Sequence, residues 1–191
     1  EDLVKDQLKS YQHWHIEGYA FYSDLIPKSL EIASENKAIL SLNLPTDNIV
    51  KYLKSEFQKH ISRFNYIFGN LEELLALTEA KDVETAFAYF NVDQTVGITD
   101  GANGCWIKAK GEKKAIHYVT PCIEEDKIFN KTGAGDIWTG TYLALTLQGM
   151  PIEKCVEMAN RAAGDWIQQK PGVPVEVKTW EVYRNMISSK A

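Results

Sequence analysis

The sequence has 191 residues, 45% of them hydrophobic and 25% charged, which predicts one globular domain with a sizeable core. The net charge is −5 and both signs are interspersed, which excludes a basic face for nucleic acid. No apolar run is long enough to span a bilayer and no signal-peptide pattern is present, so no membrane partner is expected. Three widely spaced cysteines, Cys105, Cys122 and Cys155, lack metal-ligand spacing and predict reduced thiols in a cytoplasmic protein.

The first 44 residues predict a charged helical segment followed by a strand, a helix and a second strand. The helical segment covers residues 1–11, and because the chain opens on Glu1 rather than Met, we expect a piece of something longer. The strands at residues 13–19 and 37–44 flank a helix at 25–36, and this β-α-β unit favours a parallel sheet. His13 and His15 would share one strand face, but without cysteine or acidic partners nearby they favour ordinary packing over a metal site.

A capping motif follows the next helix and strand. Residues 46–62 place an apolar side chain at every fourth position with lysines opposite, which predicts one amphipathic, structural helix. The apolar positions are Ile49, Leu53, Phe57 and Ile61. Residues 66–69 then predict a short strand, and Asn70 and Glu73 behind it have the spacing of a capping box, in which each side chain bonds the other residue's backbone N–H.

A glycine turn and a hairpin occupy the middle of the chain. After a short helix at residues 83–90, the strand 95–99 opens onto a turn that contains Gly101 and Gly104. Residues 105–109 and 115–119 then predict a β-hairpin. Taken alone, the two glycines indicate only a tight loop.

The stretch on which the functional hypothesis depends is Thr132-Gly133-Ala134-Gly135-Asp136, directly before an apolar helix at residues 137–147. Glycines let a ligand approach the backbone closely, and the first N–H groups of a helix have no partner within it. Together with the positive end of the helix dipole they form a site for a phosphate or a developing anion. Asp136 could then accept a proton from a group held over the glycines. The alternative is an ordinary helix start after a common type of turn.

Two further helices are predicted, at residues 151–169 and 180–188. The first has Pro151 at its first helical position and apolar residues at three- and four-residue spacing, which predicts a continuous buried stripe. The stripe consists of Ile152, Cys155, Val156, Ala159, Ala163, Trp166 and Ile167. Asn160 flanks the stripe, where a lone polar residue is either solvated or a ligand contact.

The stretch from Thr132 through Asp136, with Trp138-Thr139-Gly140 and a helix that ends at Gly149, resembles the signature of the ribokinase-like carbohydrate and nucleoside kinases, the phosphofructokinase-B family. In that family the glycine loop is the anion hole for the transferred phosphoryl group, and the aspartate deprotonates the acceptor hydroxyl. The resemblance implies these roles for Gly133, Ala134, Gly135 and Asp136.

The resemblance extends to residues on both sides of this loop. Asn70 and Glu73 match an Asn-x-x-Glu motif that organises magnesium and phosphate in the family, a role that is compatible with the capping box. Thr99, Gly101 and Gly104 match a turn that lies against the nucleotide. The resemblance also assigns two residues to the nucleotide site, namely Thr132 at the start of the signature and Asn160, which matches an asparagine near the base.

The chain departs from the family pattern in two ways. Asn130-Lys131 stands where members usually carry Asp-Thr, which puts potassium activation in doubt and suggests that Lys131 supplies a positive charge beside the phosphates. In addition, about a hundred residues of the family that precede the Gly18-Tyr19 strand, with most substrate contacts and a β lid, have no counterpart. The resemblance therefore covers the carboxyl-terminal half to two-thirds of a kinase.

The resemblance implies a single three-layer α/β domain over residues 1–191, with a mainly parallel sheet and an ATP site at the carboxyl ends of its strands. The expected reaction is phosphoryl transfer from ATP with Mg²⁺ to a primary hydroxyl of a sugar or nucleoside, with a slight preference for adenosine from Gly69-Asn70 and Asn43-Leu44-Pro45. The resemblance leaves a homodimer open, since lid strands often form the dimer contact in this family. The alternatives are a nucleotide-binding module without turnover and an unrelated α/β ligand-binding domain.

Overall fold

The computed structural model describes residues 10–170 of the chain. The predicted helix 180–188 and most of the predicted segment 1–11 lie outside the described residues. The chain divides into two compact units, residues 1–119 and 120–191. Among the helices of residues 10–170, none combines the length and the apolar character needed to cross a membrane.

The first unit contains a six-stranded sheet whose spatial order follows the sequence, from β1 to β6. The strands are β1 (His13–Glu17), β2 (Ile39–Asn43), β3 (Tyr66–Asn70), β4 (Thr95–Thr99), β5 (Cys105–Lys108) and β6 (Ile116–Tyr118). The first four strands are parallel, whereas β5 and β6 add an antiparallel hairpin. The mainly parallel sheet and the hairpin predicted from the sequence are confirmed.

Helices connect the parallel strands of the first unit. They are α1 (Ile26–Glu35), α2 (Asp47–Tyr52), α3 (Lys54–His60), α4 (Leu71–Thr78) and α5 (Val83–Phe87). Each connection from β1 to β4 leads to the next strand in the same direction across the sheet. Because such connections between parallel strands are right-handed, all of these helices lie on one face of the sheet. The core between helices and sheet includes Leu42, Ile67 and Ile98, all fully buried.

The single helix predicted at residues 46–62 is instead two helices with a break at Leu53, followed by a 3₁₀ turn at Ile61–Arg63. Strict four-residue spacing explains the break, because each step advances about 400° around a helix, or about 40° beyond a full turn. Over three steps a straight helix would carry Ile61 about 120° away from Ile49. Reorientation at Leu53 keeps Leu53, Phe57 and Ile61 buried.

The second unit contains α6 (Ala134–Leu147) and α7 (Ile152–Ile167), which pack against each other. Trp138 and Tyr142 of α6 are buried and their rings stack at 5.1 Å. The continuous stripe predicted on α7 is buried only in its middle, and Trp166 and Ile167 are partly exposed. Pro151 caps α7 rather than beginning it.

The three cysteines are free thiols. Burial raises the pKa of the Cys105 thiol to about 12 and also raises the pKa of Cys155, so both are poor nucleophiles that serve packing. Cys122 is exposed.

The two histidines of β1 share one buried hydroxyl. His13 Nε2 lies 2.9 Å and His15 Nδ1 2.7 Å from Ser41 Oγ, and Ser41 is fully buried. His15 Nε2 also lies 3.1 Å from a carboxylate oxygen of Glu17, an acidic partner that the sequence analysis missed. Since one hydroxyl can donate to one ring and accept from the other, the cluster is satisfied when both rings are neutral.

We expect this cluster to make the first unit less stable in acid. Burial, and secondarily the neighbouring His15, lower the pKa of His13 below its usual 6.5. The unfolded chain therefore binds a proton first as the pH falls, and stability declines from about pH 7 through the folded-state pKa. His13→Gln should flatten the dependence of the unfolding free energy on pH between 7.5 and 5, measured by urea titration. Part of the slope should remain, because burial also lowers the pKa of His60. Parallel curves for variant and parent would contradict this assignment.

Candidate active site

Two predicted site residues end neighbouring parallel strands in the first unit. Asn70 is the last residue of β3 and Thr99 the last of β4, and the two are register partners. The hydroxyl of Thr99 donates to the carbonyl of Gly69 at 3.4 Å. In open α/β sheets the carboxyl ends of parallel strands are where ligands bind.

Asn70 and Glu73 form a complete capping box at the start of α4. Asn70 Oδ1 accepts the backbone N–H of Glu73 at 2.9 Å, and the Glu73 carboxylate accepts the backbone N–H of Asn70 at 2.9 Å. The other carboxylate oxygen accepts Asn70 Nδ2 at 2.8 Å. The prediction of a capping box is confirmed, and these three bonds fix the Glu73 carboxylate at the end of β3.

The fixed carboxylate is compatible with a hydrated Mg²⁺. Each carboxylate oxygen accepts one hydrogen bond from Asn70, and Glu73 is only partly buried. Mg²⁺ retains several waters and is usually held by one or two carboxylates together with substrate phosphates. Within residues 10–170 no group of three or more His, Cys, Asp or Glu side chains could hold a metal by itself. Asn70 and Glu73 therefore fit contact with the ion through its water molecules.

The turn after β4 is fixed by its own hydrogen bonds. The backbone of Asp100 donates to the carbonyl of Gly104 at 2.8 Å, and that of Asn103 donates to Asp100 at 2.9 Å. Gly104 has φ 100° and ψ −130°, a conformation that favours glycine. Apart from its two chain neighbours, no atom of residues 10–170 lies within 4 Å of a β-carbon built on Gly101.

The predicted anion-binding turn begins the second unit's first helix. Gly133 is the N-cap of α6 with φ 82°, and the helix starts at Ala134 rather than at the predicted residue 137. Gly135 and Asp136 consequently lie in the first turn. The N–H groups of a first turn have no carbonyl acceptor within their own helix. The Ala134 N–H is directed to the carbonyl of Lys131 at 3.2 Å. Gly135 and Asp136 are exposed, whereas Gly133 and Ala134 are partly buried.

Nothing in the part of the chain that the structure describes requires a glycine at position 135. Its φ lies outside the left-handed region, and within residues 10–170 no atom beyond its chain neighbours and the nearby backbone of its own helix lies within 4 Å of a β-carbon built on it. Alanine at such a helical position would be the more stable choice by about 0.5–1 kcal/mol. A residue that lowers local stability without a structural benefit, such as this helical glycine, is expected at functional sites.

Two side chains of α7 reach α6 and the turn before it. Asn160 Oδ1 accepts the indole N–H of Trp138 at 2.8 Å, so this polar residue is hydrogen-bonded rather than merely solvated. The indole N–H of Trp166 donates to the carbonyl of Thr132 at 2.8 Å. Sequence reasoning assigned Trp166 to a buried stripe and missed this contact, since spacing along a helix does not reveal a bond to a loop 34 residues away.

The predicted site residues thus form two groups, one in each unit. The first comprises Asn70, Glu73, Thr99, Gly101 and Gly104 at the ends of β3 and β4. The second comprises residues 132–136 with Asn160, whose partner Trp138 lies two residues after Asp136 on α6. Asn130, at one departure from the family pattern, accepts the backbone N–H of Thr132 at 2.9 Å through its side chain.

Known proteins resemble the chain over most of its length. A nucleoside kinase of Methanocaldococcus jannaschii is 26% identical over 137 residues, which are 72% of this chain and 43% of that protein. Adenosine kinase 1 of Arabidopsis thaliana is 26% identical over 188 residues, covering 86% of this chain and 54% of the relative. The solved structure of adenosine kinase from Schistosoma mansoni in complex with 2-fluoroadenosine shares the fold, with a TM-score of 0.84 at 21% identity over 94% of this chain and 57% of that one.

The chain spans about half the length of these relatives. The model of the family described as pfkB family carbohydrate kinase matches residues 1–175. This match and the shared fold confirm the resemblance found in the sequence. The chain belongs to the pfkB family of carbohydrate kinases.

Proposed function

We propose that this chain carries the nucleotide site and the catalytic base of a phosphotransferase that moves the terminal phosphoryl group of ATP to a primary hydroxyl of a sugar or nucleoside. The observation that carries the proposal is Gly135, an exposed glycine beside Asp136 that neither its backbone conformation nor its contacts within residues 10–170 require. Family membership supports the same reaction class.

In this proposal each group of residues has a defined role. Asp136 accepts the proton of the attacking hydroxyl at its carboxylate. The amides of the turn 133–135 stabilise charge that develops on the transferring group, the Ala134 amide after release or sharing of its bond to Lys131. Asn70 and Glu73 hold waters around Mg²⁺, which when bound neutralises phosphate charge. Thr99, Gly101, Gly104, Thr132 and Asn160 contact the nucleotide.

A nucleoside, and adenosine in particular, is the acceptor that we favour. The names of the relatives, a nucleoside kinase and adenosine kinases, support this choice. The chain should be incubated with Mg-ATP and adenosine, ribose or fructose, and ADP release measured. We expect the largest rate with adenosine. ADP release with a sugar alone would overturn the choice of acceptor, but it would leave the reaction class intact.

The second candidate is a nucleotide-binding module without turnover of its own. Its support is the length of the chain, which is about half that of the relatives. This candidate would be favoured if calorimetry showed that the chain binds Mg-ADP, but no acceptor led to release of ADP from ATP. Failure to bind ADP at all would contradict both candidates.

Glu73→Gln tests the magnesium role separately from the cap. Glutamine can still accept the backbone N–H of Asn70 in a capping box, but the negative charge and the bond from Asn70 Nδ2 are lost. We expect the Mg²⁺ concentration for half-maximal phosphotransfer to rise about tenfold, the usual scale for outer-shell groups. The unfolding free energy should change by less than about 1 kcal/mol.

Glu72→Gln is the matched control, since it removes the same charge from the same helical turn. It should leave the Mg²⁺ dependence unchanged. Superimposable Mg²⁺ titrations for both variants would show that Glu73 serves only as a cap.

A further inference from the structure

The last turn of α7 contacts the loop that leads into the proposed anion-binding turn. Trp166 lies at the end of α7, and its indole N–H donates to the carbonyl of Thr132 at 2.8 Å. We propose that Trp166 is a positioning residue, which sets the direction of the turn's first amide through this carbonyl. The inference rests on the proposed function of the turn.

The geometry of a trans peptide connects the indole to the Gly133 amide. The carbonyl of Thr132 and the N–H of Gly133 belong to one planar peptide unit and point in opposite directions. When the carbonyl is bonded to Trp166, the Gly133 N–H points away from the indole. Rotation of this unit would turn the amide away from any phosphate bound at the start of α6.

The indole also constrains the backbone conformation of Gly133. A β-carbon built on Gly133 would lie 3.4 Å from the indole nitrogen and 3.6–3.7 Å from two carbons of the same ring system. The ring therefore packs directly against the left-handed residue that begins α6. One side chain fixes both the carbonyl before this residue and the space beside it.

Backbone hydrogen bonds also connect the end of α7 to this loop. The carbonyl of Ile167 accepts the N–H of Phe129 at 2.8 Å and that of Asn130 at 3.4 Å. Two consecutive residues of α7 thus anchor the loop. Among these anchors only the Trp166 bond comes from a side chain, and it can be removed without a change in the backbone.

The Trp166 bond has little to do with stability. The side chain is partly exposed, so after loss of its partner the Thr132 carbonyl can bond to water. Removal of the indole N–H should therefore leave the unfolding temperature nearly unchanged. The effect should appear in binding of the phosphoryl group that the turn contacts.

The test compares Trp166→Phe, Trp166→His and Trp14→Phe by calorimetry with Mg-ADP and with the ATP analogue AMP-PNP. Phenylalanine keeps an aromatic ring beside Gly133 but has no donor, whereas histidine can place a ring N–H where the indole nitrogen lies. Trp14→Phe is the control, because among residues 10–170 its buried indole nitrogen has no acceptor. Trp166→Phe should weaken AMP-PNP about fivefold and ADP less than twofold. The histidine variant and the control should stay within twofold of the parent.

Each alternative outcome has a definite meaning. Equal losses for both nucleotides in Trp166→Phe, or equal losses of AMP-PNP affinity in the phenylalanine and histidine variants, would overturn the role of the indole N–H. If AMP-PNP affinity were unchanged in Trp166→Phe but clearly lower in Gly135→Ala, the positioning role of Trp166 would be refuted. The proposed function of the turn would stand. If the parent chain bound neither nucleotide, or bound AMP-PNP no more tightly than ADP, both the role of Trp166 and the proposed function would be overturned.

Discussion

Asp136→Asn is expected to abolish phosphoryl transfer while ATP still binds. Asparagine has nearly the same shape as aspartate, but it cannot accept a proton from the acceptor hydroxyl. General base catalysis contributes about 10²–10⁴-fold, so the turnover number should fall by at least about a hundredfold. Asp136 is exposed in the first turn of α6, where loss of its charge should cost at most about 1 kcal/mol of stability.

The turnover number and the dissociation constant of ATP should be measured on the same preparation. Asp82→Asn is the matched control, because Asp82 also begins a helix and asparagine caps about as well as aspartate. The control should retain full activity and full stability. Turnover of Asp136→Asn within threefold of the parent would refute its assignment as the base.

Gly135→Ala is expected to stabilise the fold and impair the reaction at the same time. Within residues 10–170 a methyl group at this position meets no atom beyond its chain neighbours and its own helix backbone, so α6 should gain about 0.5 kcal/mol. The same methyl would hold a phosphoryl group away from the amides. A displacement of about 1 Å can cost a hundredfold in rate, and we expect a loss of about that size.

Gly140→Ala separates the two effects. Gly140 lies within α6 and is exposed, and a β-carbon built on it likewise meets only its chain neighbours and its own helix backbone among the described residues. This variant should gain about 1 kcal/mol in urea unfolding and retain its activity. If Gly135→Ala were equally active, the glycine would have no role in catalysis and the main support for the proposed function would be lost.

The helix starts that matter for the site could be predicted because their signals are local. Asn70 and Glu73 are three residues apart, and the capping box follows from that spacing alone. The sheet was predictable in the same way, since a strand, a helix and a strand in succession favour parallel pairing. The start of α6 was predicted three residues too late, because glycine and alanine give no apolar periodicity at Ala134 and Gly135.

Contacts between distant residues could not be predicted. Lys108 looked like an ordinary strand residue, yet it is buried and its amine donates to the carbonyls of Asn91 and Gln94 at 2.7 and 3.1 Å. Likewise, Ser41 appeared as one small residue in a buried strand, although it joins two histidines 26 and 28 residues away. No spacing rule connects such positions, because the sheet register brings them together only after folding.

The central claim is that the turn at residues 133–136 presents its backbone amides to phosphate. Amide resonances of the ¹⁵N-labelled chain, followed during titration with Mg-AMP-PNP, test this claim most directly. We predict that the signals of Gly133 and Gly135 shift strongly, whereas that of Gly149, which follows the other end of α6, stays in place. Saturable nucleotide binding with no shift at Gly133 and Gly135 would contradict the account.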